Sequence, residues 1–342
     1  MMACNVTILA TFDYELYLGA DSGAVDSCLL VPTDRLLEVL RQSRLNAVFF
    51  VDTVYLLRLK EVAEFSSRAA EDLEAIGRQI VRIGKAGHDV FPHLHPHWLD
   101  AVYDPLRNRW ALEDFRFYAF GSCEPAVGER LMEDSVAILQ AYLGPDWKRP
   151  LGYRAGGWCI QPFDGFRPVF EKWGVAYDFS VVPGRSASGD VAGYDFRSAP
   201  SSGPYRFTDE VCRPDANGIF WEFPISVVEM NRLDRIQHRY LSKVFWRLGT
   251  GKVMGSGKGA PIGQIETGKG SLNSGALEMA SIDHFSAGKI AAYCRCAKRD
   301  GILHLCSHPK LLSKHGLWAF SKMVSILRLQ TTVDSNWRSF LS

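Results

Sequence analysis

Short, uninterrupted apolar runs alternate along this chain with longer segments whose apolar residues recur every three or four positions. The first kind suits strands buried on both faces, and the second suits helices with one inner stripe. Residues 6–12 form an apolar run that ends in Asp13 and Glu15, which predicts a buried strand presenting acids at its C-terminal end. Residues 32–40 carry a helix start signal and apolar residues at Leu36, Leu37 and Leu40. Residues 46–51 are a second apolar run. This β-α-β order predicts a parallel pair with a right-handed crossover. Residues 71–86 place Leu73, Ile76, Ile80 and Ile83 at helical spacing and stop at Gly87, a candidate C′ residue. A third strand is expected at 88–91.

The alternation continues beyond an aromatic and arginine-rich stretch at 100–122, which reads equally as the lining of a sugar cleft or as a structural excursion. Residues 124–143 predict a helix with Val127, Leu131, Val136, Leu139 and Leu143 inward. Strands are expected at 151–154, 176–182, 219–225 and 301–306, and helices at 163–173, 284–298 and 318–329. Asp178 reads as a strand-end turn residue. Residues 249–275, rich in Gly, Lys and Ser, read as a flexible insertion. Within it, 263–269 imitates a phosphate-binding loop, but Gly270 stands where Ser or Thr is needed and no strand precedes it, so that reading is rejected. No linker divides the chain.

Charge and cysteine usage narrow the function classes. The 342 residues carry 39 basic and 38 acidic side chains, and a net charge of +1 gives no electrostatic case for nucleic acid or an anionic membrane as the main partner. A local basic patch stays open. Eight cysteines without a C-x-x-C pair, several in apolar runs, suggest buried free thiols and a reducing compartment. The N-terminus has no basic region ahead of its apolar run, and no stretch reaches the roughly 18 apolar residues of a membrane span. A soluble cytoplasmic protein is the expectation; the pattern specifies no oligomeric state.

Candidate chemistry centres on Phe91-Pro-His-Leu-His-Pro-His-Trp98, which no packing argument explains. In an extended segment His93, His95 and His97 share one face, whereas in a helical one His93 and His97 share a face at i, i+4. Both conformations keep His93 and His97 together. Asp13 and Glu15, the histidines, Arg154 and His308 all fall at the ends of expected strands, where sites are built in parallel sheets and barrels. Two imidazoles and a carboxylate around a metal leave a position for water and polarise a carbonyl oxygen. A second carboxylate accepts the water's proton, a guanidinium fixes that carboxylate, and an opposing histidine protonates the leaving group. The inventory fits metal-assisted hydrolysis of an amide or ester.

The ordered motifs Thr11-Phe-Asp-Tyr-Glu15, Gly87-His-Asp-Val-Phe-Pro-His-Leu-His-Pro-His97, Tyr153-Arg-Ala-Gly-Gly157, Tyr177-Asp-Phe-Ser180 and Leu303-His-Leu-Cys-Ser-His-Pro309 resemble those of the polysaccharide deacetylases. This is carbohydrate esterase family four, the NodB-homology domain, and the look is closest to its lipopolysaccharide and surface-polysaccharide branch. The resemblance implies a distorted (β/α)7-type barrel with loop insertions over 5–312, followed by a C-terminal helix and tail at 313–342. It implies Asp13 as base, Arg154 as the residue orienting it, His308 as acid, and Glu15, His93 and His97 as ligands of a divalent metal. Zn2+ is the first expectation, with Co2+, Ni2+ or Mn2+ as alternatives. The family's first motif has adjacent acids, and here Tyr14 separates them; alternation on a strand still puts Asp13 and Glu15 on one face. His304 is the other candidate for the last motif, and His95, Trp98, Gly157 and Trp158 are candidates for substrate contact or support of the ligands. The implied substrate is an N-acetylated sugar, nucleotide sugar or glycan. A formamide or cyclic amide, or a silent glycan-binding role, are the rival readings.

Overall fold

The computed structural model describes residues 5–147, 149–189, 193–259, 266–267 and 276–341. Its frame is a sheet of nine strands: β1 (Asn5–Tyr14), β2 (Ala47–Asp52), β3 (Asp89–Leu94), β4 (Leu151–Ala155), β5 (Val175–Asp178), β6 (Tyr205–Phe207), β7 (Phe220–Glu222), β8 (Ile302–Ser307) and β9 (Thr332–Asp334). The spatial order is β6-β7-β5-β4-β3-β2-β1-β8, with β9 also paired to β1. Every pair is parallel except β6 with β7. The sheet curls into a half-barrel, a mixed α/β architecture with loop insertions.

The strands β1, β2, β4 and β8 are buried almost end to end, as uninterrupted apolar runs require when helices cover the outer face. The helices are α1 (Val31–Gln42), α2 (Thr53–Ala63), α3 (Ser67–Lys85), α4 (Pro125–Leu143), α5 (Arg167–Trp173), α6 (Arg232–Arg247), α7 (Ile290–Asp300) and α8 (Lys314–Gln330). On α3 the stripe Ile76, Ile80 and Ile83 is buried, and Gly87 takes a positive φ of 84° just past the helix end. On α4 Leu131, Val136 and Leu139 face inward, but Val127 is exposed because it lies in the first turn, beyond the edge of the sheet. Two helices carry no clear signal in the pattern: α2, whose first four residues are all buried and show no helical stripe, and α6.

The C-terminal segment is joined to the same sheet, since α8 leads into β9 beside the start of β1. Of the segment 249–275, residues 249–259 lie across the His308 loop, with Gly255 N–H donating to the Lys310 carbonyl and Lys258 N–H to that of Asp21. The phosphate-loop look-alike lies outside the described residues apart from Glu266–Thr267, a short strand beside Ser186–Ser188. Among the described residues the cysteines are free, and all but Cys123 are buried. No helix of the described residues is long and apolar enough to cross a membrane.

Candidate active site

Because β1, β2, β3, β4 and β8 run parallel, their C-terminal ends open on one edge, and that edge gathers the polar side chains. Asp13 and Glu15 point to the same side of β1's end, while Tyr14 points away and donates to Gln79 at 2.8 Å. Asp13 is clamped by Arg154, whose Nη1 donates to Oδ1 at 2.6 Å. The guanidinium is fully buried. Its other donors reach Thr11 Oγ1 at 2.7 Å, the Phe179 carbonyl at 3.0 Å and Cys306 Sγ at 3.3 Å, and Phe50 lies under it at 4.5 Å. Burial alone would raise the Asp13 pKa; Arg154, then His93 and His308, outweigh it and hold the carboxyl below its ordinary range.

Glu15 faces the histidines. Its Oε2 lies 2.6 Å from His95 Nε2 and 3.2 Å from His93 Nε2, while Oε1 accepts from Lys310 Nζ at 2.8 Å. Burial again opposes the charge, and Lys310 and His95 lead the groups that hold Glu15 well below its ordinary pKa. His93 Nδ1 donates to the Arg154 carbonyl at 2.8 Å, which leaves Nε2 turned to the carboxylate. Despite burial, Asp13 and Glu15 raise His93 to about 9.

The donor atoms of Glu15, His93 and His95 all lie within 4.8 Å of one another, and His97 is not among them. The trio expected from sequence, Glu15, His93 and His97, shares Glu15 and His93 with this converging set, which His95 completes. The segment follows neither of the two regular conformations weighed from sequence. It stays extended as far as His95, so His93 and His95 share a face, and a 3-10 turn at Pro96–Asp100 then carries His97, whose ring centroid lies 4.9 Å from that of His95. His97 stacks near Tyr118, ring centroids 5.6 Å apart, and neither of its buried ring nitrogens has a hydrogen-bond partner. Burial and the neighbouring His95 push its pKa well below the ordinary value.

His308 stands opposite. Asp283 accepts from its Nδ1 at 2.6 Å and from its backbone N–H at 2.8 Å, and Nε2 faces Asp13 at 3.7 Å and Glu15 at 3.6 Å. Burial would lower its pKa, but Asp283 and then Glu15 and Asp13 raise it. His304 is differently placed, inside β8. Its Nδ1 lies 3.0 Å from the Pro224 carbonyl, its Nε2 lies 3.2 Å from Arg154, and burial followed by Arg154 pushes it down to about 3. It is a neutral support for the arginine.

Trp98 is fully buried, so it supports the floor and has no face for substrate: its indole donates to Asp52 at 2.5 Å. Asp52 ends β2 beside His93, and burial raises it to about 6. Gly156 and Gly157 explain the glycines of the fourth strand's motif. A Cβ on Gly156 would sit 2.5 Å from the Leu94 carbonyl and 2.8 Å from His95 Nδ1, and one on Gly157 would meet Tyr118 at 2.4 Å. Trp158 follows with φ at 60°, half-exposed at the rim under Arg185. Asp52, Asp283 and Lys310 were not expected from sequence. The signal for Asp52 was present, since it ends an apolar run as Asp13 does; Lys310 adjoins the last motif, and Asp283 carries none.

Comparison with solved structures follows from this geometry. The structure described as a polysaccharide deacetylase from Mycobacterium smegmatis aligns with 100% of this chain and 90% of its own at 16% identity, with a TM-score of 0.51. The chain has the polysaccharide-deacetylase fold. A polysaccharide deacetylase structure from Pseudomonas aeruginosa PAO1 (12% identity, 97% of this chain, 88% of that one, TM-score 0.44) is also similar, as is Puue allantoinase (12%, 97%, 87%, 0.46). No protein-family model and no curated protein sequence matches.

A divalent metal, implied by the deacetylase fold, fits the residues present. Two imidazoles and a carboxylate are a donor set for Zn2+, and His93 already spends its Nδ1 proton on a carbonyl, as metal-ligating histidines do. Lys310 sits on the other oxygen of Glu15, leaving Oε2 to the histidines.

Proposed function

We propose that this chain is a metal-dependent hydrolase that removes an N-acetyl group from a sugar, nucleotide sugar or glycan intermediate of surface-polysaccharide synthesis in the cytoplasm. One observation carries the reading. An ionised carboxylate clamped by a buried arginine, a Glu15/His93/His95 donor set and an Asp283-backed histidine converge on one strand edge, with His308 Nε2 3.6 to 3.7 Å from both acids.

In this reading Asp13 is the base, kept charged and aimed by Arg154, and it takes the proton of the attacking water. The metal, when bound, supplies Lewis-acid polarisation of the amide carbonyl and acidifies water. Glu15, His93 and His95 hold it, with Lys310 fixing the orientation of Glu15. His308 enters protonated, because Asp283 and the two acids favour its charge, and gives the Nε2 proton to the departing amine. Trp158, half-exposed at the rim, offers an aromatic face to a sugar ring.

The test is acetate release from a panel of N-acetylated sugars and nucleotide sugars, with formylated amines and cyclic amides run beside them. Turnover of the acetylated substrates that is lost on chelation and restored by Zn2+ or Co2+ is expected. Metal-replete protein inert on all of them, or active on formamides alone, would overturn the proposal.

A further inference from the structure

A second surface stands apart from the site. Helix α6 begins with a capping box, in which the Asn231 side chain and Asp234 satisfy each other's backbone N–H groups, and it is anchored along one face only. Asp234 turns inward to Arg295 at 2.5 Å, His238 lies 2.8 Å from Ser286, and Phe245 stacks on His315 with ring centroids 3.5 Å apart. Leu241, Ser242 and Val244 are partly buried beside them, and the rest of the helix is exposed.

That outer face has two adjacent stripes. Leu233, Ile236 and Tyr240, at i, i+3 and i+7, are between 55% and 68% exposed, far more than a monomer's ordinary scatter of apolar surface. Beside them run the exposed Arg232, Arg235, Arg239, Lys243 and Arg247. Trp246 and Leu248, also exposed, close the C-terminal end, and Lys252 sits over the Trp246 ring at 5.2 Å. Between 232 and 248 the sequence holds one acid, Asp234, and it points inward. A chain of net charge +1 has thus concentrated five cations on one helix face, next to an apolar stripe that nothing among the described residues covers.

We propose that α6 lies on an anionic phospholipid surface. The apolar stripe would enter the headgroup boundary, the arginines and lysines would meet lipid phosphates, and Tyr240 and Trp246 would sit at the depth that suits amphipathic rings. Charge complementarity selects this occupant. A second copy docked on this face would bring five cations from each helix into one interface with no outward acid on either helix to meet them. A nucleic acid would use the cations and leave Leu233 and Ile236 in water. The chain leaving α6 runs directly back to the active-site loop, where Met254 and Gly255 donate to the Leu312 and Lys310 carbonyls.

Vesicle sedimentation of the full chain tests this, with phosphatidylcholine alone against equal parts phosphatidylcholine and phosphatidylglycerol. Binding to the anionic vesicles, weakened by salt, is expected, with little binding to the neutral ones. Arg239→Glu/Lys243→Glu/Arg247→Glu should cost about 100-fold or more, since each surface cation is worth roughly fivefold. Ile236→Ser/Tyr240→Ser should also weaken binding by about tenfold or more at unchanged charge. Melting temperatures close to the parent's confirm that both variants are folded. No binding to anionic vesicles, equal binding to both kinds, parental binding by both variants, or tighter binding to poly-aspartate or single-stranded RNA than to vesicles would each overturn the proposal.

Discussion

Two pairs of buried carboxylates lie in this sheet, and their pKa values are shifted in opposite directions. Asp13 and Glu15 close β1 with Arg154 and Lys310 in contact, and both are held below the ordinary carboxylate range. Asp178 and Glu222 face each other across β5 and β7 and share a hydrogen bond; Ser180 and the Val181 N–H are their other contacts, and both are raised. Burial is the first cause in all four. What differs is the cation: one in contact lowers the pKa of a buried acid and favours its charged, chemically available form, and without one burial raises the pKa and favours the protonated form.

Removing the cation from the first pair is the severest way to break that contrast. Arg154→Met leaves Asp13 buried with no guanidinium and deletes the bonds to Thr11 and Phe179, so a loss of about 3–5 kcal/mol in denaturant unfolding is expected. Asp13→Asn keeps an acceptor for Arg154 and removes only the base. It should unfold cooperatively with a much smaller loss, while turnover on the responsive substrate falls by about 10^2- to 10^4-fold. An Asp13→Asn protein with near-parental turnover would move the base to Glu15.

The next contrast lies inside the charged pair, because Glu15 differs from Asp13 in having two imidazoles at its oxygen. His95→Ala should lower Zn2+ affinity by more than the roughly 10- to 100-fold that loss of a supporting contact costs. His97→Ala, which removes a ring outside the donor cluster, should leave affinity within about threefold of the parent on the same scale. Titration with a chromophoric chelator measures both. The reverse order would restore the His93/His97 pair read from sequence.

This pair also marks how far the sequence could be read. Runs such as 46–51 and the stripe Ile76, Ile80, Ile83 specify strands and helices because burial on a fixed period leaves a fixed pattern, so the β/α order and its parallel sheet were legible. The same reasoning placed Asp13, Glu15, Arg154 and His308 at strand ends, where the structure brings them together. It is least informative at the histidine run, because Pro96 changes the backbone from extended to 3-10 in mid-motif and each regular period describes only half of it. Asp283 was invisible for another reason: it sits in an irregular loop, and only tertiary packing sets it beside His308. Helix α6 escaped because its outward face mixes Leu233, Ile236 and Tyr240 with arginines, so its inner stripe does not stand out.

His308 extends the comparison from acids to their partners, since it owes its charge to Asp283 as well as to the charged pair. Its pKa is raised, so as a proton donor it is competent below that pKa and lost as pH rises through it. Asp283→Asn removes the leading favourable charge and keeps an acceptor near Nδ1. The alkaline limb of the turnover profile should shift to lower pH, with about tenfold lower rates on the old limb and near-parental rates on the acid side. A profile that is merely scaled down at every pH would show that Asp283 acts on geometry alone.

The smallest effect is expected in the uncharged pair, and it has the opposite sign. Asp178 and Glu222 are raised above their unfolded values, so their contribution to stability is complete below the ordinary carboxylate range. It is lost as pH climbs through their folded pKa, because unfolding releases a proton that the native state holds. Glu222→Gln replaces the shared proton with a permanent amide donor. Its oxygen can still accept from Val181 N–H, and its nitrogen can donate to Asp178 without needing a titratable proton. Near the ordinary carboxylate pKa the variant should match the parent, and it should become the more stable as pH rises, by up to about 1.4 kcal/mol for each pH unit over which the native state alone holds the proton. Urea unfolding across that range gives the answer. If the parent's stability does not fall relative to the variant's as pH rises, Glu222 is ionised in the native state, and contact with a cation is not what separates the two pairs.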